Sequence, residues 1–281
     1  VYKRQAMKHK EIPFLLLMGS CCGILFAFTY INPYNGQITL SELILQLSGS
    51  RGEFPLGFSS LPELLSFSSK LLPSFLFELY IGTSLYQHFC TASVYIFSRT
   101  PNRIAWYAKE CIVIARFTLV YQIFLVAMSV IVTCFRYNVI WTATGWELLI
   151  IHIGIYSLWS FSMTLLVNIF AILLGSGNAF MIIIVTQLIC VTCIRLLNSL
   201  ESNGTRFFIT LNINPIAHLI IGWQYSSLRG LNEAIHAPWN AMSLSGTIFY
   251  LIAIAVLIFV IGGHYVHKCD LIISDLEFGG M

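Results

Sequence analysis

Three charged residues sit inside otherwise apolar stretches: Glu78, Arg116 and Arg195. An ionisable group at membrane depth is costly and takes a partner, so each is a candidate for a structural ion pair or for a substrate path. At ~1.5 Å per helical residue, Glu78 lies roughly 10 Å and Arg195 roughly 5 Å below the same edge of their stretches, and Arg116 roughly 9 Å from the opposite edge. Glu78 therefore matches Arg195 in depth, and the two are expected to pair. Arg116 is expected to snorkel to its own edge, or to meet Gln87, His88 or a carbonyl. Ser157, Ser160, Thr164 and Asn168 form one polar helical stripe. Such a stripe lines a path or makes a helix–helix contact, where small and polar side chains let backbones approach, and the contact is preferred.

Other reactive types lack the company that chemistry needs. Cys190 and Cys193 form a C-x-x-C, but without a second pair and inside an apolar run they read as packing residues. Nearly all of the eight cysteines fall in apolar runs, which argues against an extracellular disulfide framework. His264 and His267, with Asp270 and Glu277 nearby, are too few for zinc, and no metal is expected. The phosphate loop G-x-x-x-x-G-K-S/T, H-E-x-x-H and G-x-S-x-G are all missing from the sequence. The chain is not expected to be an enzyme by itself or to bind a cofactor.

The elements that carry these residues follow from composition. The chain of 281 residues is 57% hydrophobic and 10% charged, where a soluble domain carries roughly 25% charged residues. Mean hydropathy is +0.81. A net charge of +3, with no basic run interleaved with aromatics, excludes nucleic acid as the expected partner. Thr247 to Tyr265 has no charged residue and nearly the ~20-residue length of a bilayer crossing. An all-α polytopic membrane protein is expected, a single transmembrane domain with six spans. These are Pro13–Tyr30, Leu71–Phe97, Glu110–Phe135, Leu149–Leu174, Ala179–Asn198 and Gly246–His267. No small-residue cleavage site follows Tyr30, so the first is expected to be retained.

Basic residues set the orientation. Lys3, Arg4, Lys8, Lys10, Arg99, Arg103, Lys109 and Lys268 fall on one side, in short segments. Arg51, Lys70, Arg136, Arg206 and Arg229 fall on the other. The first side is expected to be cytoplasmic, with both termini, in a bacterial plasma membrane. Residues 1–12 then form a basic elbow, and 31–70 and 199–245 lie outside, where Asn203-Gly204-Thr205 matches a glycosylation acceptor. Ile38–Leu47 has near-helical apolar spacing and is expected on the membrane surface. Ile216–Leu231, after Asn214-Pro215, is expected to be a short helix dipping into the outer leaflet.

The inner loop Ser98–Lys109 is the most informative polar segment. Pro101 and Asn102 suit a helix start, and Arg103, Trp106, Tyr107 and Glu110 share a face. It reads either as a short interfacial helix that docks a cytosolic partner or as a positive-inside anchor with an aromatic belt.

This layout resembles the permease subunits of type-two ATP-binding-cassette exporters. The stretch Arg99-x-x-x-Arg103-x-x-Trp106-Tyr107-x-Lys109 is similar to that family's basic approach to span three, and Asn214-Pro215 to its Asn-Pro step after span five. The resemblance implies a coupling helix built from Arg99, Arg103, Trp106, Tyr107 and Lys109. It also implies a separate cytosolic ATPase holding ATP and magnesium, and a second permease chain, identical or homologous. The long first outer segment looks more like permeases that handle antimicrobial peptides or serve bacteriocin immunity. A non-enzymatic scaffold or accessory subunit is the alternative.

Overall fold

A computed structural model describes residues 2–33, 35–48, 61–95, 102–196, 211–235 and 242–268, without the side chains of 2–11, 61–64, 67, 91–95, 195 and 196. The described chain is mostly helical, and five helices are long and apolar enough to cross a membrane. They are α1 (Tyr2–Thr29, apolar from Ile12), α6 (Arg103–Arg136), α7 (Ala143–Leu174), α8 (Ser176–Leu196) and α10 (Leu244–Lys268). The remaining helices are α2 (Leu40–Ser48), α3 (Leu61–Lys70), α4 (Leu72–Ile81), α5 (Ser84–Tyr95) and α9 (Arg229–Ile235). Large apolar side chains such as Leu17, Phe135, Ile150, Met181, Phe249 and Val260 face outward, as lipid-facing helices require.

Backbone contacts fix how the helices run. Glycines let α1 lie directly on α6: a Cβ at Gly19 would stand 3.0 Å from the Tyr121 carbonyl, and one at Gly23 would meet the Leu125 carbonyl. Ser129 donates to the Gly23 carbonyl (3.0 Å) and Arg136 to that of Ala27 (2.8 Å). Both numberings rise together, so α1 and α6 are parallel. At the far end, strand β1 (Gln37–Thr39) pairs in parallel with β2 (Asn138–Ile140), tying the chain after α1 to the chain after α6. Gly36, with φ of 67°, makes the turn into β1.

Several expectations change. The second span is not one helix: α4 and α5 are separated at Gly82–Thr83, and neither half is long enough to cross alone. A side chain at Gly82 would stand 3.0 Å from Val167 of α7, so glycine permits the close approach that accompanies the break. The apolar helix α2 is not on the surface. Leu40, Leu43, Ile44, Leu45 and Leu47 are all buried, and α2 packs on α7, where a Cβ on Gly145 would stand 2.7 Å from Leu40. Residues 216–231 form no single helix. Two 3-10 turns, Ala217–Leu219 and Ile221–Trp223, lead to β3 (Gln224–Tyr225), which pairs with β4 (Met242–Ser243) before α10. Side-chain bonds hold this compact shape: Asn214 Oδ1 accepts from Ile216 N (3.0 Å), and Gln224 donates to the His218 carbonyl (2.7 Å). The basic elbow continues into α1 through Pro13. The link between α7 and α8 is Gly175 alone, at φ of 83°, and Asn178 already lies in α8.

Candidate functional site

The break in the second span opens onto the polar stripe of α7. The first backbone amides of a helix lack intrahelical acceptors, and in an apolar bundle they need replacements. Asn168 supplies one: its Oδ1 accepts from Tyr86 N in the first turn of α5 at 3.0 Å, while its Nδ2 donates to the Thr164 carbonyl at 2.8 Å. Asn168 is fully buried. One turn or two further along the stripe, Ser160 Oγ lies 3.3 Å from Ser74 Oγ of α4 and accepts from Gln122 of α6, also at 3.3 Å. Ser160 and Asn168 of the stripe thus make contacts between helices, with α4, the head of α5 and α6.

Above this contact lies a second polar group. Lys70 ends α3 and donates to the Gln46 carbonyl at 2.6 Å, and the Tyr156 hydroxyl donates to the Ser48 carbonyl at 3.1 Å. Together they supply donors to the C-terminal carbonyls of buried α2, where a cation also complements the helix dipole. Burial lowers the Lys70 ammonium to about 8. His152 stacks on Tyr156 with ring centroids 4.3 Å apart. Lys70, Ser74, Gln122, His152 and Tyr156 line a cavity of about 10 Å³, room for a single water. Apart from Lys70, read from the sequence only as a basic residue that sets orientation, these residues were not singled out, because they come from four separate helices, α3, α4, α6 and α7.

Glu78 is fully buried on α4, and its Oε2 accepts from Gln187 Nε2 of α8 at 2.8 Å. Its described partner is thus Gln187, while the Arg195 side chain lies outside the described residues. Arg116 is exposed on α6. Of the partners considered for it, Gln87 donates to Thr83 (3.4 Å) and His88 pairs with Glu110 (3.2 Å).

The proposed docking loop is rearranged more deeply. Arg103–Lys109 is no separate interfacial helix but the first turns of α6, capped by Asn102, whose Oδ1 accepts from Ala105 N at 3.0 Å. Its aromatic residues point inward. Trp106 sits against Phe89, with ring centroids 6.1 Å apart. Tyr107, at 0% exposure, packs on Phe259, and its hydroxyl fills the space a Cβ on Gly262 would need. Ile104, Ala105 and Lys109 are exposed instead, and Arg103 donates to the His267 carbonyl at 3.4 Å. Arg99 lies outside the described residues. The seven cysteines among the described residues are free, and no cluster of three or more potential metal ligands occurs among them.

A scan against protein-family models and searches of curated proteins and of solved structures find no match to this chain.

Proposed function

We propose that the chain is the membrane permease subunit of an ATP-driven transporter that moves a peptide or amphipathic substrate with a separate cytosolic ATPase. The observation that carries this reading is the interrupted second span, held open against a buried polar stripe by Asn168. Broken helices at membrane depth occur where protein surrounds them or where they line a cavity, a recurrent feature of transporters. Leu72–Tyr95 as a unit, at ~1.5 Å per residue, extends about 36 Å and would serve as the sixth span. Helix polarity supports both termini lying on one side. With α1 parallel to α6, and α10 antiparallel to it through Arg103–His267 and Tyr107–Gly262, the start of α1 and the end of α10 share the Arg103 end. The basic bias makes that end cytoplasmic.

With Trp106 and Tyr107 buried, the ATPase contact would fall to Ile104, Ala105 and Lys109, together with Arg99. The same burial favours a second reading, an accessory subunit that contacts no ATPase. Purification of the tagged chain from native membranes separates the two. A nucleotide-binding subunit with ATPase activity should accompany it, and Ile104→Glu with Lys109→Glu should release that subunit without loss of the folded chain. A stoichiometric complex lacking any ATPase would refute the permease reading. Single cysteines at positions 102 and 138 should label from opposite sides of the membrane, position 102 from the cytoplasm.

A further inference from the structure

The Glu78–Gln187 contact leaves two atoms unsatisfied. Gln187 Nε2 donates to Glu78 Oε2, but Glu78 Oε1 and Gln187 Oε1 are both buried without a hydrogen-bond partner among the described residues. In an ionised carboxylate beside an amide, both of these oxygens are acceptors and neither can serve the other. An orphaned buried acceptor costs ~1–3 kcal/mol, and more if charged. A single proton on Glu78 Oε1 changes this. That oxygen becomes a donor, and the amide oxygen beside it is the acceptor it lacks.

We infer that Glu78 and Gln187 form a proton-binding site inside the membrane. A neutral carboxylic acid on α4 and a primary amide on α8 are joined by two reciprocal hydrogen bonds. Oε1–H of Glu78 donates to Oε1 of Gln187, and Nε2–H of Gln187 donates to Oε2 of Glu78. The proton comes from water and no other bond is made or broken. The site stands independently of the transporter reading.

Other occupants fit less well. A metal ion would find one carboxylate and one amide oxygen, short of the six or more oxygens that hard cations take. Arg195 lies further along α8, on the order of 12 Å from Gln187 at 1.5 Å per residue. The titratable groups on neighbouring elements are engaged elsewhere. Tyr121 of α6 donates to the Pro73 carbonyl (2.9 Å), Tyr156 of α7 to that of Ser48, and Lys70 of α3 to that of Gln46. Cys22 of α1 lies 3.6 Å from the Tyr121 hydroxyl, and His152 stacks on Tyr156. The pair joins α4 to α8 one turn before the break at Gly82, so the proton holds the upper half of the interrupted span against its neighbour.

The test is Glu78→Gln in the full-length protein. A glutamine amide supplies the same donor and acceptor without ionising, so the folding constant should stay within about fivefold of the parent. A larger loss, the signature of breaking a buried ion pair, would overturn the inference. A second readout does not depend on the variant's stability. Infrared spectra of the parent with isotope-labelled glutamate should show a protonated-carboxyl carbonyl band at neutral pH, moved to higher frequency in Gln187→Leu. A parent spectrum with carboxylate bands alone would equally overturn it.

Discussion

Replacing Asn168 with leucine isolates the contact that holds the broken span. The substitution keeps the approximate volume and removes the Asn168 Oδ1 acceptor of Tyr86 N, a bond of 3.0 Å made by a fully buried side chain. Loss of a helix cap costs ~1 kcal/mol where water can replace it. In a dry bundle, losing a buried hydrogen bond of this kind costs ~1–3 kcal/mol. The lost Nδ2 bond adds little, because the Thr164 carbonyl already sits in the ladder of α7. The net expectation is a loss of ~1–2 kcal/mol, a factor of roughly 5–30 in the folding constant. Titration of the purified protein from mild detergent into SDS measures that loss. Hydrogen exchange by mass spectrometry should show faster exchange confined to the start of α5, with α6 unchanged. A variant within about 0.5 kcal/mol of the parent, the range of an inert substitution, with unaltered exchange over residues 83–88, would refute the capping argument.

Trp106→Ala and Tyr107→Ala should each lower stability by ~3–5 kcal/mol, as buried aromatic truncations do, and SDS titration reads the loss directly. A docking face exposed to a partner would instead tolerate both. Gly262→Ala drives a methyl into the Tyr107 hydroxyl and should cost ~1–3 kcal/mol. Adding Tyr107→Phe removes the nearest clashing atom, so the double variant should be more stable than Gly262→Ala alone. Burial lowers Lys70 to about 8 from 10.5, so the unfolded chain holds the extra proton between those values. Stability should therefore rise as pH climbs from about 8 toward 10.5, and this rise should vanish in Lys70→Met.

Span positions were legible because a membrane helix needs a long apolar run whatever its neighbours are. Four of the six expected spans coincide with the apolar parts of α6, α7, α8 and α10, and the first with α1 from Ile12. What packs against what was not legible. The spacing of Leu40, Leu43, Ile44 and Leu47 marks an apolar face, but the same face suits a bilayer surface or the side of α7. Trp106 and Tyr107 likewise carry the composition of an interface belt. Their burial depends on residues distant in sequence: Gly262 and Phe259 of α10 opposite Tyr107, and Phe89 of α5 against Trp106. Gly82 and Thr83 sit within an apolar run that hides the break. Asn168, singled out from the sequence as an intramembrane polar residue, is the partner that marks it. Gln187 is uncharged, so no cost of burying an ionised group marks it within an apolar run as a partner for Glu78.

The seat of α2 against α7 has a consequence for how the protein is made. Residues 40–48 are finished roughly 100 positions before the residues of α7 that bury them. At ~5–20 residues per second, an apolar nine-residue helix waits on the order of 5–20 s for its berth. The β1–β2 pairing cannot precede α6 either, so β1 and α2 both join the bundle late. During that interval its face must be sheltered by the insertion machinery or by lipid. Substitutions that weaken the Leu40–Gly145 contact would therefore lower the yield of inserted protein before they alter anything the mature bundle does.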